Sequence, residues 1–191
     1  MALVAGGVGK VNAAIAAQQL ISLCGAKAVI DAGAAGGCGI PWRHLTLWWQ
    51  NRWPITMWQR DPYGKPPASS HHLDAAGPPP AGGARRGLAS QPFPGRKVVF
   101  GRCITGEAFI AGPERLALQR AFDPDCVDME TAAVAHVCLV NQVPFLSVRT
   151  ISDGADGEGA GDFEENCSPA AEVCCQAVCC VLDQLNRESE K

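Results

Sequence analysis

Residues 126–133, CVDMETAA, and residues 147–153, SVRTISD, carry the most informative polar groups of the chain. The first segment places two carboxylates around a methionine, at the point where an alanine-rich helix is predicted to begin. The second segment ends an apolar run that predicts a buried strand, and it finishes with Arg, Ser and Asp. Ligands of α/β sheets bind where strands end and helices begin. The two segments therefore predict an α/β fold with a ligand site between them.

Strands and helices alternate through most of the remaining sequence. Buried strands are predicted at residues 28–30, 97–104 and 144–151, and residues 1–4 are interpreted as the end of another strand. Helical spacing predicts a helix at residues 12–23. Helices are also predicted at residues 113–122, which start with Pro, at the alanine- and valine-rich residues 129–141, and at residues 168–186. In the last helix, Ser168 is the expected cap and Pro169 the expected first residue. This order predicts a three-layer αβα domain around a mostly parallel mixed sheet.

Length, charge and composition limit the classes of protein to which this chain can belong. The 191 residues suffice for one domain with its own core, here taken as residues 1–191. The net charge of −3, without a basic stripe, argues against nucleic acid as a partner. No apolar run is long enough for a membrane span, and the amino terminus does not have the pattern of a secretory signal. We expect a cytoplasmic location.

Ten cysteines raise the question of disulfides or metal. A chain with this apolar content needs no disulfide framework. Cys174, Cys175, Cys179 and Cys180 lie among apolar residues and lack the Cys-x-x-Cys spacing of zinc sites. We expect buried free thiols there and no metal.

Residues 41–96 do not fit the pattern. They contain all five tryptophans, most of the prolines and a PPPAGG run, and their apolar residues follow neither period. A structureless loop of this length is improbable in a compact domain. Two interpretations remain open: a lineage-specific insert, or an out-of-frame translation of an ordinary segment.

The single codons of Trp and Met allow the out-of-frame interpretation to be checked. Codons read across the junctions of residues 48–58 force Val, Ala, Ala and Val, and permit a Val-Ala-Glu-x-x-Ala-Tyr-His-Asp-Val peptide. This outcome favours a frame error. Coding DNA without insertions or deletions in this stretch would contradict it.

Two glycine-rich segments follow the predicted strands. GGVGK at residues 6–10 lacks the first Gly and the hydroxyl residue of a Walker motif, since Val4 and Val11 stand there, so ATP binding by that route is excluded. DAGAAGG at residues 31–37 would allow a ligand to approach the backbone. Both segments are equally compatible with ordinary structural turns.

In combination these motifs resemble the 5′-methylthioadenosine/S-adenosylhomocysteine nucleosidases. The resemblance covers residues 1–40 and 97–167 well and the last helix loosely, and it implies a nucleoside phosphorylase-like fold that is incomplete here. The shifted peptide is similar to the family strand that bears Tyr-His-Asp. The family is homodimeric, with a partner subunit that helps to close the pocket, and needs no metal or organic cofactor.

The resemblance also assigns roles to individual residues. It implies that Asp153 protonates the leaving adenine, with Ser152 as its orienting neighbour, and that Glu130 holds the ribose hydroxyls. It places Phe109 against the adenine ring, the backbone of Ile110 at the base edge, and Met129 under the sugar. Asp128 and Ala34 depart from the family, which usually has Glu and a hydroxyl residue at these positions. Each carboxylate also has a plainer interpretation as a capping residue.

Three functions remain open at this stage. The first is hydrolysis of methylthioadenosine or S-adenosylhomocysteine to adenine. The second is an inactive relic or weak binder of adenine nucleosides, because the family's strand with the water-activating Glu has no counterpart in this chain. The third is a purine nucleoside phosphorylase, which would require phosphate.

Overall fold

The structure, a computed structural model, describes residues 1–38, 47–49, 55–59, 68–73, 98–110, 114–154 and 159–190. These residues form eight strands: β1 (Val29–Gly37), β2 (Leu47–Trp49), β3 (Ile55–Gln59), β4 (Ala68–Leu73), β5 (Val98–Phe100), β6 (Cys103–Thr105), β7 (Cys126–Asp128) and β8 (Phe145–Asp153). The described helices are α1 (Lys10–Ser22), α2 (Glu114–Phe122), α3 (Thr131–Val140) and α4 (Gly159–Ser189). No described helix has the length and apolar character needed to cross a membrane.

All eight strands join one mixed sheet in the order β4-β3-β6-β7-β1-β8-β2-β5. β1 and β8 run parallel at its centre, with Val29 opposite Phe145. Parallel pairing also joins β3 to β6, β6 to β7 and β2 to β5, whereas three neighbouring pairs are antiparallel. The predicted mostly parallel sheet is confirmed.

The sheet must curl, because β5 and β6 are joined by only two residues. β5 ends at Phe100 and β6 begins at Cys103, yet four strands lie between them in the sheet order. In a flat sheet, five strand spacings would separate them by roughly 24 Å. The three Cα–Cα steps from Phe100 to Cys103 reach at most about 11 Å. The far edge of the sheet therefore comes back towards β6.

Helices cover both faces of the central strands, which confirms the three-layer αβα fold. Alternate residues of β8 face opposite layers: Phe145 packs with α1 and α3, whereas Leu146 and Val148 pack against α4. α2 packs through Leu118 onto Ile104 and its apolar neighbours. Because both faces are covered, every residue of β8 is buried, including the polar ones.

Several predicted elements differ from the structure. Residues 1–4 are not a strand. Residues 31–37, expected to turn, continue β1 because β8 on one side and β7 on the other bind their backbone. The single strand predicted at residues 97–104 is replaced, in the described part of that range, by the two strands β5 and β6. The last helix begins at Gly159, so Ser168 is not its cap and Pro169 lies inside it.

Two further expectations need correction. Of the four cysteines expected to be buried thiols in α4, Cys174 is buried and Cys180 is partly exposed, whereas Cys175 and Cys179 are exposed, since they lie on the outer face of the helix. Within residues 41–96, where no regular element was predicted, β2, β3 and β4 join the sheet through their backbones. The remainder of that stretch lies outside the described residues.

Candidate active site

The eight residues predicted for the site line one cavity of about 780 Å³. It lies where β8 and β7 end, beside the glycine turn before α1. The lining residues that the sequence singled out are Ala34, Phe109, Ile110, Asp128, Met129, Glu130, Ser152 and Asp153. The cavity therefore brings the two polar segments together, as expected from strand ends that face helix starts.

Asp153 ends β8 and is only 1% exposed. Its Oδ1 accepts a hydrogen bond from the Ser152 hydroxyl at 2.9 Å, and its Oδ2 pairs with the guanidinium of Arg115. Burial raises the pKa of Asp153, and the nearby positive charge and hydrogen bonds offset only part of this effect. Asp153 can consequently hold a proton at a higher pH than a surface aspartate.

Glu130 immediately precedes α3 and is held by backbone N–H groups. Gly9 donates to its Oε1 at 2.7 Å and Met129 donates to its Oε2 at 3.3 Å. The position at a helix start favours an ionised carboxylate. Burial instead raises the pKa of Glu130, although the Gly9 N–H favours the charged form. The glycine turn thus contacts the predicted ribose-binding residue directly.

Asp128 ends β7 and its carboxylate accepts several hydrogen bonds from the protein. Thr105 donates its hydroxyl at 2.6 Å, and Thr131 donates both its N–H and its hydroxyl. Arg149 approaches with Nε at 3.0 Å. These contacts fix the start of α3, which is the capping interpretation of Asp128, while the residue still borders the cavity.

The predicted adenine side contains Phe109 and Ile110. Phe109 is 47% exposed and packs edge-on against Phe163 of α4, with 5.7 Å between ring centroids. Ile110 is buried, and its carbonyl accepts two N–H groups of Arg115, at 3.1 and 2.9 Å. An aromatic face at the cavity edge beside a fixed backbone segment suits a flat heteroaromatic ligand.

Sequence reasoning missed a buried ionic cluster below the site. Arg149, although part of the quoted strand, was given no role; it pairs with both Asp31 and Asp128 and donates from Nε to Thr131 at 2.9 Å. Burial raises the pKa of Asp31, against the lowering effect of Arg149. The sequence did offer a signal for this cluster, namely an arginine within an apolar strand, because a buried arginine needs paired carboxylates.

An ion pair connects the glycine turn before α1 with the segment on the predicted adenine side of the cavity. Lys10 Nζ lies 2.9 Å from Glu107, and the Lys10 side chain is 9% exposed. Neither residue was predicted. Among the described residues no group of three or more His, Cys, Asp or Glu side chains is placed to hold a metal ion.

Comparisons with known proteins agree with this geometry. The family model described as "Phosphorylase superfamily" matches residues 1–183. A 5′-methylthioadenosine/S-adenosylhomocysteine nucleosidase of Haemophilus influenzae is 30% identical over 190 residues, which cover 97% of this chain and 82% of that protein. One from Actinobacillus succinogenes is 47% identical over 93 residues, 48% of this chain and 40% of the relative.

A solved structure extends the match to the fold. The nucleosidase of Colwellia psychrerythraea, crystallised with adenine, is 28% identical with a TM-score of 0.77, covering 94% of this chain and 76% of that one. The chain therefore belongs to the phosphorylase superfamily and, within it, to the family of 5′-methylthioadenosine/S-adenosylhomocysteine nucleosidases.

Proposed function

We propose that the protein hydrolyses the N-glycosidic bond of 5′-methylthioadenosine or S-adenosylhomocysteine, releasing adenine and a thio-ribose in methionine salvage. One observation carries the proposal: a buried carboxyl with a raised pKa, Asp153, shares a cavity with Glu130 and Phe109. The names of the relatives and the adenine complex of the Colwellia protein support the same substrate class.

The substrate would lie across the cavity. Phe109 would stack on the adenine ring, and Met129 would pack under the sugar. The carbonyl of Ile110 is already occupied by Arg115, so its N–H is the backbone group that remains for the base edge. Glu130 would accept the ribose hydroxyls, oriented for this by Gly9. Ala34 would leave space where the family has a hydroxyl.

Asp153 would act as the general acid. It would transfer its proton to N7 of adenine while the N-glycosidic bond breaks, and the bonding electrons would leave with the base. Water would add to the resulting oxocarbenium-like sugar and lose a proton to solvent. We assign no residue to activation of the water. Ser152 would keep Asp153 oriented, and no metal or organic cofactor takes part.

The first test compares the wild type with Asp153→Asn in adenine release from methylthioadenosine in phosphate-free buffer. We expect kcat to fall by about 100-fold or more, since general acids contribute roughly 10²–10⁴. Asp123→Asn, an exposed aspartate in a turn, is the control and should keep full activity.

The other outcomes of this test are equally informative. Release that depends on added phosphate would indicate a phosphorylase. Adenine binding in calorimetry without any turnover would indicate the non-catalytic alternative. An Asp153→Asn variant that is as active as the wild type would contradict the role of Asp153.

We also propose a cytoplasmic homodimer formed from a single domain over residues 1–191, with a small nucleoside as its partner rather than nucleic acid or membrane. Val8, Val11 and Ile15 are 71%, 69% and 52% exposed. They form an apolar patch on α1 and the turn before it, next to the cavity. A second subunit seated there would shield both the patch and the substrate.

A further inference from the structure

Arg115 is the largest fully buried side chain among the described residues, with an exposed fraction of 2%. It is the second residue of α2, and Leu118, about one turn further along the same helix, packs into the apolar core. Burying a guanidinium is costly unless every donor finds an acceptor. The position of Arg115 therefore has to be explained by the groups that it contacts.

Arg115 contacts three different parts of the site. Its Nη2 pairs with Oδ2 of Asp153 and also donates to the carbonyl of Ile110 at 2.9 Å. Its Nε donates to that same carbonyl at 3.1 Å, and its Nη1 donates to the carbonyl of Gly37 at 2.8 Å. A rigid planar fork can hold several acceptors at fixed relative positions, which a flexible ammonium cannot do.

Gly36 leaves room for this arrangement. A Cβ at position 36 would lie 3.0 Å from Nη2 of Arg115 and 3.1 Å from Oδ2 of Asp153. Both distances are shorter than ordinary van der Waals contacts. Strand β1 therefore passes close to the ion pair because it has no side chain at this point.

We propose that Arg115 is a positioning residue. It fixes the orientation of Asp153 and holds Asp153 at a set distance from the base-binding backbone of Ile110. The inference rests on the proposed nucleosidase function and deepens it. Protonation of N7 requires the acid and the purine to meet within hydrogen-bond distance. One guanidinium that binds both the acid and the carbonyl of Ile110 sets that distance.

The charges around Asp153 give Arg115 a second effect. Arg115 from α2 stabilises the carboxylate, whereas Asp162 from α4 destabilises it. Cys38, which follows β1, is a neutral thiol because burial raises its pKa to about 12. Removing the positive charge of Arg115 should therefore raise the pKa of Asp153.

The sign of the effect on activity follows directly. Asp153 must be protonated to act as the acid, so turnover falls as the pH rises through its pKa. For Arg115→Met we expect kcat to fall by about 10- to 100-fold through misplacement of the acid. The alkaline limb of the kcat profile should move up by about 1–3 pH units, the usual effect of losing an adjacent opposite charge.

Two further variants complete the experiment. Arg115→Lys keeps the charge but loses the fork, so we expect a reduced kcat with the alkaline limb close to that of the wild type. Arg120→Met, an exposed arginine of the same helix, should match the wild type in both respects. An Arg115→Lys variant with wild-type kcat, or a folded Arg115→Met variant with an unmoved limb, would overturn the proposal.

A titration that needs no turnover separates this inference from the proposed function. Carboxyl ¹³C NMR of aspartate-labelled protein, assigned with Asp153→Asn, reads the pKa of Asp153 in the wild type and the Arg115 variants. If the wild type releases no adenine but the pKa rises in Arg115→Met, the proposed function fails and the coupling of Arg115 to Asp153 stands. An unchanged pKa overturns the coupling whatever the activity.

Discussion

Gly9 and Glu130 are joined by a hydrogen bond of 2.7 Å between the backbone N–H and Oε1. Gly9 has a φ of 95°, in the left-handed region that side chains rarely adopt. Space is not the constraint, because a Cβ on Gly9 would meet no atom within 4 Å. Glycine suits this position because the turn that brings its N–H to Glu130 has a positive φ here, which costs glycine little.

Replacing Glu130 by Gln tests the ribose assignment. The amide keeps the shape of the carboxyl but loses the charge that strengthens hydrogen bonds to hydroxyls, worth about 1.5–3 kcal/mol. We expect kcat/KM for methylthioadenosine to fall by about 10- to 100-fold. Steady-state kinetics measure this, and Glu172→Gln, at an exposed glutamate of α4, is the control. Equal losses in both variants would argue against a specific role for Glu130.

The contacts of Arg115 could not be predicted from its local sequence. Its helix carries an alternation of charged and apolar residues, in which an arginine normally indicates the solvent face. Only the tertiary structure shows that Asp153 and two carbonyls meet at that point. The cavity residues, by contrast, were predictable because their local patterns match a known family.

Strand β1 owes its length to its neighbours rather than to its own residues. A run of Gly and Ala has low strand propensity, and residues 31–37 were therefore expected to turn. Parallel pairing with β8 from Val29 onwards supplies the missing backbone partners. The glycines in this strand serve another purpose, because Gly33 lies under the guanidinium of Arg149.

Gly33→Ala should be destabilising. Its methyl group would overlap NH1 of Arg149 and push the guanidinium away from Asp31, and overpacking of this kind costs about 1–3 kcal/mol. Chemical denaturation monitored by circular dichroism measures the free energy of unfolding. Gly161→Ala is the control, since no atom lies within 4 Å of its Cβ, and it should be slightly stabilising. A Gly33→Ala protein as stable as the wild type would refute the close contact.

Helices α1 and α3 and strand β8 could be predicted to within a few residues because each contains a clear run of apolar residues. The beginning of α4 could not, since Gly159, Gly161 and Pro169 all disfavour a helix locally. Its apolar stripe on β8 overrides them. Strand β3 lies at the position where the out-of-frame interpretation places the family strand that bears Tyr-His-Asp. Sequencing the coding DNA tests that interpretation.

The homodimer proposed above makes a prediction at the level of the whole molecule. Ile15→Glu would place a charge in the exposed apolar patch of α1 without disturbing the core, as this side chain is 52% exposed. We expect the wild type to sediment as a dimer in analytical ultracentrifugation and the variant to shift towards monomer. Leu116→Glu, 60% exposed on α2, should remain dimeric. A monomeric wild type would contradict the proposal.

The pairing of β1 with β8, which lie far apart in the sequence, has a consequence for synthesis of the protein on the ribosome. Strand β1 emerges early, but its partner β8 begins only at Phe145. At roughly 5–20 residues per second, β1 waits on the order of 5–25 s before that partner is made. Until β7 is made at Cys126–Asp128, both backbone edges of β1 lack their final partners, and the edge that pairs with β8 lacks its partner for the whole interval. An unpaired edge invites association with other chains. The same central pairing that builds the site thus sets a period of vulnerability for every newly made copy.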